Sequence, residues 1–363
     1  MIARNGADKM PAALDPFAGV ADEIAIIFGG TSTDETQDVA NQYATATGHY
    51  DGPLDDEGRL LDFGRARQQS FDLLSTDWAI VVDCDDVWHR TDIIKSLVSQ
   101  AGEAKAQAVQ VAYHLPKSFF HQPRIFAKDS GAWYWPVHEA YRLDGKRPHS
   151  IITSDVSLQS DTPPGPRQGR QAQNIAIAES WLTVHPDDAH TLIHLAQDYS
   201  IMHEWAKALG TLARYFEVET YEQDSRYLYG LYVKGVAEIQ TGDYDSALQT
   251  GFKQVQIGNN AAGWSTVAQA AHILSEGQGG MVDLAIMAAD KALASGKVRM
   301  SGNAQHKAVY NIAPLTIKAH ALMDKGQVSE ALAATDLGLI IDPTNEDLQR
   351  LNRFICEKLN VAQ

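Results

Sequence analysis

Cysteine is nearly missing from this chain of 363 residues: Cys84 and Cys356 are the whole supply. Two thiols cannot build a disulfide framework, and a reducing, cytoplasmic setting is expected. Long apolar runs are missing too. No stretch reaches the eighteen or so apolar residues of a membrane-spanning helix, and the opening MIARNGADKM has no apolar core of the kind a secretory signal carries. Positive charge is scarce: 30 Lys and Arg face 46 Asp and Glu, a formal charge of −16. A general nucleic-acid binder would be basic, so nucleic acid is not an expected partner. Neither a P-loop nor a G-x-G-x-x-G is present, and no lysine-containing glycine loop supports a nucleotidyltransferase.

What is there is ordinary globular material, 44% hydrophobic and 21% charged, long enough for two domains. The composition breaks at DTPPGPRQGR (161–170), whose prolines and glycines continue neither a helix nor a central strand. Before the break, apolar strand-type runs alternate with helical stretches. DEIAIIF (22–28) and DWAIVVD (77–83) read as strands covered on both faces, and AQAVQVAYHL (106–115) and SIITSDVSL (150–158) as weaker ones. Helical patterns fall near 33–46, 65–75 and 90–102. The alternation predicts an α/β domain over 1–162 with a mainly parallel sheet. The polar HYDGPLDDEGRLLD (49–62) reads as a loop.

After the break, strand signals vanish. HEWAKAL (203–209), GDYDSAL (242–248), GMVDLAIM (280–287) and GQVSEAL (326–332) are alike, and begin 39, 38 and 46 residues apart. Each carries a small-apolar pair, Ala208-Leu209, Ala247-Leu248, Ala285-Ile286 or Ala331-Leu332, and follows another apolar-periodic stretch such as TLIHLAQDYSI. HPDDAHTL (185–192) and IDPTNEDL (341–348) read as turns from which a helix restarts. A helix, a tight turn and a second helix at this period predict an all-α solenoid of tetratricopeptide-like hairpins over 163–363. Within it, His190 and His194 have zinc-motif spacing, but Thr191 stands where a glutamate is needed.

The chemistry concentrates in AIVVDCDDVWHR (79–90), where a strand-type run ends in Asp83, Asp85 and Asp86. In an extended segment, residues two apart face one side. Carboxylates that converge there repel unless a cation lies between them, and hard oxygen ligands favour Mg²⁺ or Mn²⁺. The bland alternatives are a solvated acidic turn, with Asp86 capping a helix from Trp88 to Leu97. Cys84, flanked by acids, is unsuited to nucleophilic work.

Several segments, in order, resemble the family 2 glycosyltransferases of the GT-A fold. They are MIARNG; DEIAIIFGGTSTDET, with Ser32-Thr33-Asp34 and Thr36; Asp62-Phe63 with Ala66-Arg67; Trp78 leading to Asp83-Cys84-Asp85; and PRIFAKDSGAWYWPVHEAY, with Arg124 and Val137-His138-Glu139. The last segment is similar to the branch that carries C-terminal tetratricopeptide-like repeats. The resemblance implies a Rossmann-like GT-A domain that moves a sugar from a UDP- or GDP-sugar to an acceptor hydroxyl, with inversion as the usual outcome. It implies Asp83, Asp85 and His138 as holders of Mn²⁺ or Mg²⁺. Arg4, Asn5, Asp34, Arg67, Asp83, Arg124 and Trp135 would contact the nucleotide sugar, and Glu139 or Asp86 would take the hydroxyl proton. The repeats would hold a protein or glycan acceptor, or form a homodimer. Three positions depart from the family's pattern: Gly6, Gly29 and Gln68 replace a glutamate, a base-reading acid and an asparagine. These losses favour the alternative of a non-catalytic repeat scaffold with a degenerate transferase domain.

Overall fold

The computed structural model describes residues 1–115, 118–160, 168–221, 225–275, 279–295 and 311–361. Two compact units emerge, Met1–Pro186 and Asp187–Gln363, so the division falls one helix beyond the composition break expected at 162/163.

The first unit begins β1 (Ile2–Ala3), α1 (Met10–Leu14), β2 (Ala25–Phe28), α2 (Thr36–Tyr43), β3 (Ala46–His49), with the three strands paired in parallel in that order. It continues α3 (Phe63–Asp72), β4 (Trp78–Ile80), β5 (Asp86–His89), α4 (Ile94–Glu103), β6 (Ala108–Leu115), β7 (Ser118–Ala127), β8 (Ala132–Tyr134), β9 (Ala140–Arg142), β10 (Ser150–Ser160) and α5 (Gln168–Val184). A second sheet has the order β4-β7-β6-β10-β5, in which only β6–β10 is parallel. Parallel pairing thus holds for the first three strands and gives way to a mixed sheet. The reason is connection length: β6 ends at Leu115 and β7 begins at Ser118, a separation too short for a crossover, so the pair is antiparallel. β8 and β9 form a separate antiparallel ladder.

The sheets are separate because β1 has only two residues. It pairs with β2 without reaching β4. An apolar cavity of about 450 Å³ lies between Ala25 and the β4 segment Trp78–Val82. The predicted strand 77–83 forms ladder pairs only over Trp78–Ile80, after which the chain turns. Residues 86–89, weighed from sequence as the cap and first residues of a helix from Trp88 to Leu97, form β5 against β10. The helix there begins at Ile94, so Asp86 is not its cap.

The second unit is helical: α6 (Ala189–Ile201), α7 (Trp205–Val218), α8 (Ser225–Thr241), α9 (Tyr244–Gly258), α10 (Ala261–Leu274), α11 (Gly279–Ala294), α12 (Ala313–Asp324), α13 (Val328–Ile341) and α14 (Glu346–Val361). Each helix packs on the next, and alternate helices also touch, α6 on α8, α8 on α10 and α10 on α12. That is the stacking of a helical-hairpin solenoid. The four repeated segments supply the second helix of each hairpin. Their alanines Ala208, Ala247, Ala285 and Ala331 are fully buried, which lets the paired helices approach. Gly242 and Gly326 turn the hairpins with φ of 82° and 72°, and His203 adopts 60° at the matching position of the first repeat. The wider last spacing comes from the long connection between α11 and α12, of which residues 296–310 lie outside the described residues. Among the described residues no helix is long and apolar enough to cross a membrane.

Candidate functional site

The acidic stretch closes as a turn. The Asp86 amide donates to the Asp83 carbonyl at 3.1 Å, and the Asp83 amide donates to Asp86 Oδ2 at 2.8 Å. The extended geometry that would have aimed Asp83 and Asp85 to one side is therefore absent, and the two carboxylates meet different partners.

Asp83 is held by two guanidinium groups: Arg67 Nη1 donates to Oδ1 and Arg124 Nη1 to Oδ2, each at 3.0 Å. Arg67 sits on α3, whose first turn is capped by Asp62 accepting from the Arg65 amide at 2.8 Å. Arg124 is the extra residue of a bulge in β7, where the register with β6 passes from Ile125↔Val109 to Pro123↔Gln110. Bulges re-aim a side chain in this way. Arg67 also grips Glu139, donating to Oε1 from Nε at 3.2 Å and from Nη2 at 2.7 Å. Asp83, Arg67, Arg124, Glu139 and Asp86 thus form one cluster, built from a turn, a helix, a strand and a loop.

The loop bearing Glu139 is tightly specified. Trp135 and His138 both take left-handed backbone, with φ of 69° and 53°, a strain that only firm surroundings sustain. Those surroundings include the Phe63 amide, which donates to the Pro136 carbonyl at 2.7 Å. A Cβ on Gly64 would stand 2.4 Å from the Trp135 carbonyl oxygen, so only glycine permits this approach. Gln68, the departure from the family's asparagine, accepts from the Trp133 amide at 3.0 Å and ties the same loop to α3. Arg142 lies over the Trp135 ring at 5.0 Å, covering one face of a side chain expected to contact the nucleotide sugar.

Burial alone would raise the Asp83 carboxyl, but the two arginines reverse this and hold it far below the usual carboxylate range. Asp86 goes the other way. Burial pushes it up to about 7, against the pull of Arg124 and aided by the negative charge of Asp83. At 3% exposure Asp86 lies beneath the turn, whereas the Glu139 side chain keeps 17%. Of the two carboxyls considered for proton transfer, Glu139 is the accessible one. Burial likewise pushes the Cys84 thiol up to about 12, which suits an inert cysteine.

Asp85 accepts the Ser160 hydroxyl at 2.8 Å from the end of β10. Among the described residues no three His, Cys, Asp or Glu side chains gather closely enough to hold a metal ion. Both Asp83 oxygens accept from guanidinium groups, so a divalent ion would have to be held through Asp85. A single carboxylate completed by substrate phosphates is an ordinary arrangement for Mg²⁺.

The remaining expected residues serve the loop after β2. Asn5 Oδ1 accepts from the Thr33 amide at 2.7 Å, and Asp34 accepts the amides of Ala7 and Thr36, each at 3.1 Å. Both side chains clamp the 31–36 loop to the end of β1. Gly6 leaves room for Cys84, whose Cβ would lie 3.2 Å from an added Cβ. Gly29 meets Leu60 of the 51–61 segment at 3.0 Å in the same sense. That segment, read from sequence as a loop, folds as a hairpin with Leu54 bridged to Leu60. Arg4 Nη2 donates to its Glu57 carbonyl at 2.7 Å.

Residues 1–154 match the model of the family described as Glycosyl transferase family 2. No curated protein matches the sequence. Solved structures with similarity include a thermophilic TPR protein of Thermus thermophilus, 18% identical over 52% of this chain and 92% of that one, with a TM-score of 0.38. MamA from Desulfovibrio magneticus is 16% identical over 48% and 86%, also with a TM-score of 0.38. YrrB, a TPR protein with an unusual peptide-binding site, is 16% identical over 50% and 84%, with a TM-score of 0.35. The motifs and the cluster they build all lie within the 1–154 segment that is similar to glycosyl transferase family 2, and the helical hairpins follow it.

Proposed function

We propose that the first unit transfers a sugar from a nucleoside-diphosphate donor, a UDP- or GDP-sugar, to an acceptor hydroxyl with inversion at the anomeric carbon. The observation that carries this reading is the convergence of two buried arginines, Arg67 and Arg124, on Asp83 beyond the end of β4. Arg124 Nε and Trp133 Nε1 are also buried donors without a hydrogen-bond partner, and the Trp133 ring lies 5.6 Å from the Arg67 guanidinium. Buried donors want acceptor oxygens, and a diphosphate supplies them at fork spacing.

In the reaction, Arg67 and Arg124 turn donors toward the diphosphate while Asp83 keeps them charged and aligned. Glu139 accepts the acceptor proton as the hydroxyl oxygen attacks the anomeric carbon and the bond from that carbon to the diphosphate oxygen breaks. Asp85, with His138 nearby in the motif, would hold Mn²⁺ or Mg²⁺, which when bound neutralises charge on the departing nucleoside diphosphate. The hairpin repeats present the acceptor, a protein or a glycan, or pair two copies of the chain.

One observation favours the scaffold alternative: Leu60 fills the space beside Gly29 where the family's acid would stand. A single experiment separates the readings. The chain is incubated with UDP-, GDP- and TDP-sugars and Mn²⁺ or Mg²⁺, and release of nucleoside diphosphate is followed. Turnover that Asp85→Asn abolishes in a folded variant supports the transferase. Absence of both binding and turnover for every donor with either ion gives the scaffold reading.

A further inference from the structure

We propose that Glu139 latches the resting site: it occupies the edge of Arg67 that a diphosphate needs, and donor binding releases it for proton transfer. This deepens the transferase reading above and rests on it. The device makes removal of the acceptor's proton wait for the donor.

The latch is an ion pair on one edge of one guanidinium. Arg67 Nε and Nη2 both donate to Glu139 Oε1, at 3.2 and 2.7 Å. Two neighbouring nitrogens of this kind form the fork with which arginine grips phosphate or carboxylate. Nη1 is engaged separately, donating to Asp83 Oδ1 at 3.0 Å. Arg67 is 8% exposed and has the Trp133 ring at 5.6 Å, so it has little room to turn a second fork outward. While the pair stands, a diphosphate competes with Glu139 for Nε and Nη2. An acceptor hydroxyl likewise competes with Arg67 for Oε1.

Charge decides which partner yields. A diphosphate carries more negative charge than one carboxylate and offers more oxygens, so it is the stronger partner for the fork. Once seated, it repels the carboxylates beside it. Asp83 is fixed against that repulsion, because Arg124 Nη1 holds its Oδ2 at 3.0 Å and its amide is tied to Asp86 at 2.8 Å. Glu139 is not fixed in this way. Among the described residues its one ion pair is with Arg67. It also stands on a loop that stores strain, next to His138 at φ 53° and close to Trp135 at φ 69°. Left-handed backbone at bulky residues lasts only while its surroundings impose it, and the Arg67 pair is one of those surroundings. When the diphosphate takes the fork, the loop relaxes and Glu139 turns away with Oε1 open to the acceptor hydroxyl.

The test is titration calorimetry with inorganic pyrophosphate and Mg²⁺ on the full chain, on Glu139→Gln and on Asp83→Asn. Hydrogen exchange over residues 131–142, read by mass spectrometry, accompanies it. Glutamine keeps the bulk and an acceptor oxygen but not the charge. Glu139→Gln should therefore bind pyrophosphate about tenfold more tightly, the worth of one charged hydrogen bond, although it removes the proposed base. Asp83→Asn removes an equal charge from a group that stays in place, and should gain nothing. In the parent, saturating pyrophosphate should speed exchange over 131–142. In Glu139→Gln that exchange should already be fast without ligand. Three results overturn the latch and leave the transferase reading in place: unchanged or weaker binding by Glu139→Gln, equal gains in both variants, or parent exchange that pyrophosphate slows or leaves alone. If the parent binds neither pyrophosphate nor any nucleoside diphosphate, both readings fall.

Discussion

Asp86→Asn tests the electrostatic account of the acidic turn at a single atom. The buried carboxyl titrates near 7 in the folded chain and near the ordinary aspartate value, about 4, when unfolded. Between those values the folded state holds a proton that the unfolded state has lost. Stability from this group is therefore fully present below pH 4 and drains away as pH rises through 7. Integrated from pH 5 to pH 7, one such group removes about 2 kcal/mol. For a unit of this size that is a fall of roughly 4–8 °C in melting temperature. Asparagine keeps an oxygen to accept the Asp83 amide but cannot ionise. We expect the variant to lose that part of the pH dependence and to equal or exceed the parent in stability at pH 7–8. Scanning calorimetry of both proteins at pH 5, 6, 7 and 8 gives the answer as a difference, which cancels the contributions of the other groups the two proteins share. If the two melting curves run parallel across this window, Asp86 is ionised throughout and the explanation of the turn is wrong.

Arg67→Met leaves Glu139 and Asp83 facing each other without their shared cation. Breaking a fully buried pair costs about 3–5 kcal/mol; Asp83 is 37% exposed and keeps Arg124, so we expect about 2 kcal/mol by urea denaturation, with loss of pyrophosphate binding by calorimetry. In the repeats, Gly251 is the tightest point between α9 and α10. An added Cβ there would meet Val267 Cγ2 at 2.8 Å and the Val267 amide at 3.0 Å. Gly251→Leu should therefore destabilise the second unit by about 2 kcal/mol or more, read by loss of helical circular dichroism on heating, with the first unit's transition unmoved.

The repeats were the most legible part of the chain. A 3.6-residue apolar period, alanines at helix contacts and a turn glycine are all local signals, and they recur. Even His203 was marked by its place in the repeat, although its left-handed φ of 60° was not. The first unit was legible where strands are apolar on both faces, as in Ala25–Phe28, and illegible at the sheet edges. β7 reads SFFHQPRIFA, with a proline and a buried arginine inside it. Pattern alone ranks such a segment low, because the bulge that makes room for Arg124 exists only once β6 pairs beside it. Asp83 was found for a sound reason, the unusual density of acids, yet its partners lie 16 and 41 residues away. No spacing rule connects them. Gln68, which departs from the family's pattern, proved to hold the Trp133 amide, a role visible only when the loop and α3 are brought together.

Why the chain ends a strand in three acids follows from the count of charges around it. Arg67 and Arg124 bring two positive charges, and Asp83 and Glu139 bring two negative ones. Asp86 avoids adding a third by keeping its proton up to about pH 7. The resting cluster is thus close to neutral, so two buried guanidinium groups are tolerable without any ligand. Neutrality also means that the arginines alone cannot balance an arriving diphosphate, because their charge is already answered. On the transferase reading proposed above, a further cation would meet the imbalance, and Asp85, which accepts the Ser160 hydroxyl, is the carboxylate proposed to hold it. The three acids therefore divide the labour: Asp83 organises the arginines, Asp86 braces the turn as a neutral group, and Asp85 accepts the Ser160 hydroxyl at the end of β10.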